Sequence, residues 1–469
     1  MVGLGLPVDL GAHFLKKSGI NMEKEVKKIF GGEKSRQLLD EFRRYVIMEP
    51  QPFVLELSKC SGMWLYTVDD QKIFDWSGYY GSKLLGHNRP EMSEPEYLKR
   101  LALAANNKVA NPDFLTQECI EYYRLLHELA PKCMAREGLE VYAVNSGAEA
   151  VENMMKYMIN LYDKKMISKK LTPGVRRFIY FDRAFHGRTI FALNVTELDH
   201  DPAITKDFKG FLPGNMRVPF PSFDSSQGTE WNKDRMQRSL ELIEDCLKRY
   251  KDEVVGIIIE PIQGAGGHRI AMPEFYRSLS RLINKYDVFL GVDEVQTAGG
   301  QTGTVFAIDQ FNLPYPPQAV AVAKKFGNGV VYMLKSMEDL GVLDSTWGGS
   351  LADMVRVVQE FKIVRREKLI EQVPEKAKVL VDGLNELAER YKDLIFNVRG
   401  MGLYQGFTVR VTENRGRLKE IALYQENMLL LGGGVQSIRF RPVLDVTIDD
   451  IKLMLEKLDR CLKTLRLAK

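Results

Sequence analysis

Five short apolar runs, separated by turns and helical patterns, constrain this chain more than any other feature. Residues 253–260 (EVVGIIIE), 288–293 (VFLGVD) and 319–323 (AVAVA) are apolar on both faces, as strands inside a parallel sheet must be. Residues 139–145 (LEVYAVN) and 177–182 (RFIYFD) are two more strand candidates. Between the first two, residues 148–162 carry apolar positions at helical spacing, and Pro273 stands where a proline opens a helix through residue 286. Alternation of this kind predicts an α/β sheet wrapped by helices, with ligands bound at the carboxyl ends of the strands.

The 469 residues suit two or three domains. The character changes near residue 350. Residues 351–391 read as long, charged helix; 394–411, a helix from about 419 to 430, and 435–443 then suggest a small α+β unit. It closes on an amphipathic helix, 451–467, with Ile451, Met454, Leu455, Leu458, Cys461, Leu462 and Leu465 on one stripe. Asp449 and Asp450 stand at its start, favourably placed for the helix dipole.

Several function classes are disfavoured. The 66 basic residues nearly cancel 62 acidic ones, leaving +4, so nothing points to nucleic acid. The pairs Lys164-Lys165, Lys169-Lys170 and Arg176-Arg177 read as solvated faces. The five cysteines are scattered, without metal-ligand spacing, which predicts no metal site and a reduced, cytoplasmic protein with buried thiols. Residues 1–16 lack the basic start of a signal peptide, and no apolar run suits a membrane span.

Chemistry is concentrated at the predicted strand ends. Asp293 ends VFLGVD and suits a carboxylate that pairs with a pyridinium, or one that caps the next turn. Lys324 follows AVAVA, 31 positions later, where a lysine can lose its charge and form an imine. Its neighbour Lys325 is an equal candidate by spacing. Ser146-Gly147-Ala148 lies at a strand-to-helix junction whose free N–H groups suit a phosphate. Phe185 can stack on a ring, and Arg188 can grip a carboxylate; His186 between them reads as structural. Ser345-Thr346 supplies hydroxyls for phosphate, and Arg439 is a second carboxylate clamp, with Arg441 the weaker version. Together these meet the needs of pyridoxal 5'-phosphate (PLP): an imine-forming lysine, a pyridine partner, an anion hole and a ring cover.

From about Ile47 onward the chain resembles the class III, fold-type I aminotransferases, and within them the lysine 6-aminotransferases, with 4-aminobutyrate and ornithine aminotransferases as cousins. The resemblance is carried by residues 85–88 (LGHN), 145–153 (NSGAEAVEN), 184–188 (AFHGR), 259–264 (IEPIQG), 293–297 (DEVQT), 323–325 (AKK), 345–349 (STWGG) and 438–442 (IRFRP). It implies a large PLP domain at 96–350 with a mostly parallel seven-stranded sheet, and a small domain at 351–469 against which residues 1–95 pack. It implies that Lys324 carries the cofactor, that Asp293 holds the pyridinium and Gln296 the ring hydroxyl, and that Phe185 covers the ring. Gly147, Ala148 and Glu260 would complete the cofactor site, with Thr346 reaching across from a second subunit of a homodimer. Arg188 would take the carboxylate far from the reacting amine and Arg439 the α-carboxylate of glutamate or 2-oxoglutarate.

Two positions depart from those relatives. Ala265 stands where they usually have a glutamate that masks Arg439, which predicts an Arg439 left open or holding another anion. Asp344 stands where the lysine enzymes tend to carry asparagine, near the far end of the substrate. Residues 326–329 (FGNG) also look unlike theirs. The expected activity is transfer from an ω-amino donor, L-lysine first, to 2-oxoglutarate. The alternatives are an amino-acid racemase or 2-epimerase, a 4-aminobutyrate- or ornithine-type aminotransferase, and a cofactor-free relative.

Overall fold

The computed structural model describes residues 30–467, apart from 48–49, 199, 206–207, 209–213, 338 and 340. The signal-peptide reading of residues 1–16, and the N-terminal segment up to residue 29, lie outside the described residues.

Two short antiparallel strands come first, β1 (Trp64–Tyr66) and β2 (Lys72–Asp75). Seven strands then build the large sheet: β3 (Glu140–Val144), β4 (Arg177–Phe181), β5 (Met216–Val218), β6 (Val254–Ile259), β7 (Phe289–Asp293), β8 (Ala319–Val322) and β9 (Gly329–Met333). Their spatial order is β3-β9-β8-β7-β6-β4-β5. Within it β9 runs antiparallel to β3 and β8, and the others run parallel to one another. The sheet is thus the mostly parallel one of fold-type I. Every residue of β6 and of β8 is buried, which accounts for their unbroken apolar runs.

The helix Gly147–Ser168 presses on this sheet through Met154 and Met158. It comes close because β6 and β7 carry glycine where it crosses. A Cβ on Gly256 would lie 2.4 Å from Met158 Cε, and one on Gly291 3.0 Å from both methionine sulfurs. The parallel strands bring residues 146, 182, 260, 293 and 323 to one edge of the sheet, and the site is built there.

Beyond residue 350 lie the helices Leu351–Arg366 and Val373–Arg390, then β10 (Ile395–Met401), β11 (Tyr404–Val409), the helix Thr412–Glu426, β12 (Met428–Leu429), β13 (Leu431–Gly433), β14 (Ser437–Arg439) and the helix Ile448–Leu467. Four of these strands form an antiparallel sheet, β10-β11-β14-β13. The fifth, β12, joins β1 and β2, parallel to β2. The helix expected at about 419–430 starts at Thr412 and stops at Glu426. Asn427 takes a left-handed φ of 48°, and Met428 and Leu429 pair with Phe74 and Asp75 instead of continuing the helix. Strand pairing outweighs helical periodicity there. The last helix buries the predicted stripe except Leu455, which is half-buried over Gly383.

All five cysteines are free; Cys60, Cys119 and Cys461 are buried, whereas Cys133 and Cys246 are only half-buried, which corrects the expectation that all are enclosed. No described helix is long and apolar enough to cross a membrane. Five of the six residues in the basic pairs meet carboxylates: Lys164 meets Asp339, Lys165 and Lys169 meet Asp287, Arg176 meets Asp163 and Arg177 meets Glu253.

Candidate active site

The strand ends open into a cleft of about 760 Å³, lined among others by Gly147, Ala148, Phe185, Arg188, Glu260, Asp293, Gln296, Lys324 and Arg439. Of the ten residues picked from sequence, only Thr346 lies outside it. Thr346 is exposed on the chain's surface. Asp344, expected near the far end of a substrate, is also exposed, accepts a hydrogen bond from Tyr142 and does not line this cleft. The segment from Ser345 to Gly349 is tied down by Asn145, through Ser345 Oγ and the Gly349 N–H, and by Asn111, through the Trp347 and Gly349 carbonyls.

Lys324 follows β8 in a left-handed conformation, φ 53°, a strained state for a non-glycine residue. Its ammonium donates to the Tyr80 carbonyl at 3.4 Å. Burial, with the nearby charge of Arg439, lowers its pKa to about 8 against the opposing pull of Asp293. Lys325 points the other way. It is fully buried, and its Nζ bonds the Gln296 carbonyl at 2.5 Å, the Tyr404 hydroxyl at 2.8 Å and the Gly81 carbonyl at 3.2 Å. Spacing left the pair open, and the fold separates them.

Asp293 sits between backbone and imidazole. One carboxylate oxygen accepts from the Val295 N–H at 2.9 Å; the other lies 2.8 Å from His186 Nδ1. Burial works against a charge on His186, but its bond to Asp293 and the charges of Asp293 and Glu260 outweigh that and raise its pKa. His186 Nε2 is buried with no hydrogen-bond partner among the described residues. Glu260 accepts from the Phe185 N–H at 2.9 Å, and burial holds its carboxyl above the ordinary range.

The phosphate-like corner is the start of the helix Gly147–Ser168. Ser146 caps it by accepting from the Glu149 N–H at 3.2 Å, and Glu149 in turn accepts from the Asn145 N–H at 2.8 Å. The Gly147 and Ala148 N–H groups take no part in this and face the cleft end of the dipole. Glycine is needed at 147, where a Cβ would crowd Val295 at 2.9 Å, and at 187, where it would meet Ala148 at 2.7 Å.

Two guanidiniums line the cleft in different settings. Arg188 is exposed at its mouth, with no carboxylate partner among the described residues. Arg439, on β14, is buried; Nε donates to the Gly432 carbonyl at 2.9 Å and Nη1 to Gln296 Oε1 at 3.4 Å. Its partners are neutral, as expected from Ala265. Gln296 is less free than a ring-hydroxyl contact requires, because its amide also donates to Tyr80 and its oxygen accepts from Arg441. Arg441 itself lies behind the wall, only 1% exposed.

Sequence reasoning missed one element, the turn Gly78–Gly81. Its four residues have φ of 52°, 49°, 61° and 76°, a complete left-handed turn. Such a conformation costs about 1–2 kcal/mol per non-glycine residue. The Tyr80 carbonyl receives Lys324 and Gln296, and the Gly81 carbonyl receives Lys325. A Cβ on Gly78 would lie 2.1 Å from the Arg441 carbonyl. Glycines bracketing two tyrosines were the available signal.

The family model for aminotransferase class-III matches residues 46–462. The chain belongs to the class-III aminotransferases. It is therefore a PLP-dependent aminotransferase of fold-type I. The L-lysine-epsilon aminotransferase of Amycolatopsis lactamdurans is 30% identical over 451 residues, covering 93% of this chain and 98% of that one. That of Streptomyces clavuligerus is 29% identical, covering 88% and 92%. Among solved structures, the lysine aminotransferase from M. tuberculosis in the internal aldimine form superposes with a TM-score of 0.86 at 26% identity, covering 92% of this class-III chain and 99% of its own.

Proposed function

We propose that this enzyme moves the ω-amino group of L-lysine, or of a similar ω-amino acid, to 2-oxoglutarate, giving a semialdehyde and glutamate. One observation carries the reading: a lysine of depressed basicity shares a cleft with two guanidiniums, neither in an ion pair with a carboxylate of the described residues. One guanidinium suits a donor's distant carboxylate, the other the α-carboxylate of the acceptor. The relatives' names support lysine as donor.

The residues fit PLP. Free N–H groups at a helix start suit its phosphate, a buried ionisable pair its ring nitrogen, and a lysine poised near neutrality its aldehyde. When bound, PLP supplies an electron sink for the carbon that bears the donor amine. Lys324 would hold the cofactor, and its amine would carry the proton to and from that carbon. Asp293, oriented by His186 and the Val295 amide, would keep a proton on the ring nitrogen. Phe185 would cover the ring, its backbone fixed by Glu260. Gln296 would border the ring while it anchors Arg439.

The reading includes the division 1–95, 96–350 and 351–469, a cytoplasmic location and a homodimer. Thr346 would serve the cleft of a second copy. In support, it is exposed beyond its own cleft, beside Trp347 at 40% exposure and the segment bearing Phe114 and Leu115 at 67% and 68%. A donor screen with 2-oxoglutarate, following glutamate, tests the activity; no glutamate from lysine, ornithine or 4-aminobutyrate would remove the ω-amino reading. Loss of optical activity from one enantiomer without a keto acid would favour racemisation instead.

A further inference from the structure

At and behind the cleft wall lies a group of buried cations with no ion pair to a carboxylate of the described residues. Arg399, Arg439 and Arg441 are 7%, 6% and 1% exposed, and none has an ion pair among the described residues. Burial lowers their pKa values to about 10, 10 and 9. Their partners are neutral oxygens, with one exception. His268, fully buried, lies among them, with Nδ1 2.9 Å from Arg441 Nη2 and Nε2 3.1 Å from the Arg399 carbonyl.

This geometry fixes the imidazole's state. A guanidinium has no acceptor, so Nδ1 must receive the Arg441 proton and Nε2 must carry the ring's own hydrogen. A charged imidazole could not accept, and burial beside Arg441, Arg399 and Arg439 drives His268 to its neutral form. The contacts continue as a line. Arg441 Nε and Nη2 meet Gln296 Oε1 at 3.2 and 3.1 Å, and the same oxygen takes Arg439 Nη1 at 3.4 Å. A Cβ on Gly264 would come within 1.9 Å of that oxygen, so the carboxamide has little room to reorient.

We infer that His268 is a positioning residue for carboxylate binding: it holds Arg441, which with Gln296 sets the Arg439 guanidinium toward the cleft. The inference rests on the reading that Arg439 receives the α-carboxylate. His268 touches no substrate. It supplies a side-chain acceptor in a pocket crowded with donors, and without it Arg441 keeps only the Phe440 carbonyl and Gln296 Oε1, which it shares with Arg439, so that Arg439 is held less firmly.

The test is a calorimetric titration of the holoenzyme with glutarate, an unreactive dicarboxylate. His268→Asn keeps an oxygen where Nδ1 stands; His268→Gln keeps a donor where Nε2 stands and removes the acceptor that Arg441 Nη2 meets at 2.9 Å. His268→Gln should weaken glutarate about tenfold, roughly 1.4 kcal/mol, and raise the KM for 2-oxoglutarate with kcat within about threefold. His268→Asn should stay within about threefold of the parent. Equal effects from both variants, or a lower kcat at unchanged KM, would overturn the proposal. Should His268→Gln not fold, Arg441→Met removes the same contact from the other side, and unchanged glutarate affinity there overturns it as well. Arg439→Gln separates the premise. If it leaves glutarate binding intact, the reading of Arg439 fails; if it abolishes binding while His268→Gln is silent, only the positioning role fails.

Discussion

Lys324 and Lys325 are adjacent in the chain and opposite in environment: one opens into the cleft, and the other is closed off by two carbonyls and the Tyr404 hydroxyl. Borohydride reduction of the holoprotein should therefore leave the PLP adduct on Lys324. Lys324→Ala should lose the reducible yellow band. Lys325→Met should keep it but lose stability, by about 1–3 kcal/mol, because the Gln296 and Gly81 carbonyls and the Tyr404 hydroxyl each lose a bond, and only the last two can turn to each other. Peptide mass spectrometry and thermal denaturation check both; an adduct on Lys325 would reverse the assignment.

The pKa of about 8 at Lys324 makes cofactor capture pH-dependent. Only the neutral amine attacks an aldehyde, so the capture rate of apo-protein should rise about tenfold per pH unit below 8 and level off above it. After burial, Arg439 contributes most to the lowered value. Arg439→Gln should thus move the inflection upward. Stopped-flow absorbance across pH 6–10 reads it, and a downward move would show that Arg439 is not the responsible charge.

A different pH effect is expected in the fold itself. Glu294 is fully buried, accepts from the Ala307 and Ile308 N–H groups and the Thr297 hydroxyl, and is raised by burial to about 7. A carboxyl raised on folding favours the native state while protonated. Its contribution is full below the unfolded value near 4.5 and is lost as pH rises through 7. Glu294→Gln removes that titration. The stability gap between parent and variant should move by about 2–3 kcal/mol in the variant's favour from pH 5 to pH 8. Parallel thermal midpoints at the two pH values would mean that Glu294 does not titrate in this range.

The sheet was legible because burial on both faces writes itself as unbroken apolar runs, as in β6 and β8. The site was legible for a related reason: parallel strands must present their ends together, so Asp293, Lys324 and Phe185 could be grouped before any contact was known. What escaped depends on long-range partners. Nothing local distinguishes Lys324 from Lys325, since Tyr404 and the turn at Gly78–Gly81 decide between them. His268 follows a glycine-rich run with no local sign of a role; its contacts are with arginines 131 and 173 positions away. β12 was hidden inside a helical pattern because its partner, β2, lies some 350 positions earlier.

Ala265 tests how far the open state of Arg439 sets donor choice. The residue lines the cleft, and its neighbour Gly264 would place a Cβ 3.0 Å from Arg439 Nη1. With an α-amino donor, the substrate's own carboxylate pairs with that guanidinium. With an ω-amino donor, the carboxylate lies at the other end, near Arg188, and Arg439 stays unneutralised in a partly dry site, which is unfavourable. A carboxylate introduced by Ala265→Glu would pair with Arg439 in the second case and compete with substrate in the first. The ratio of kcat/KM for lysine to that for an α-amino donor should therefore rise about tenfold, a coupling near 1.4 kcal/mol. An unchanged ratio would place another anion on Arg439 during turnover, and a fall would mean that the donor's carboxylate, not its absence, meets Arg439 in the ω-amino reaction.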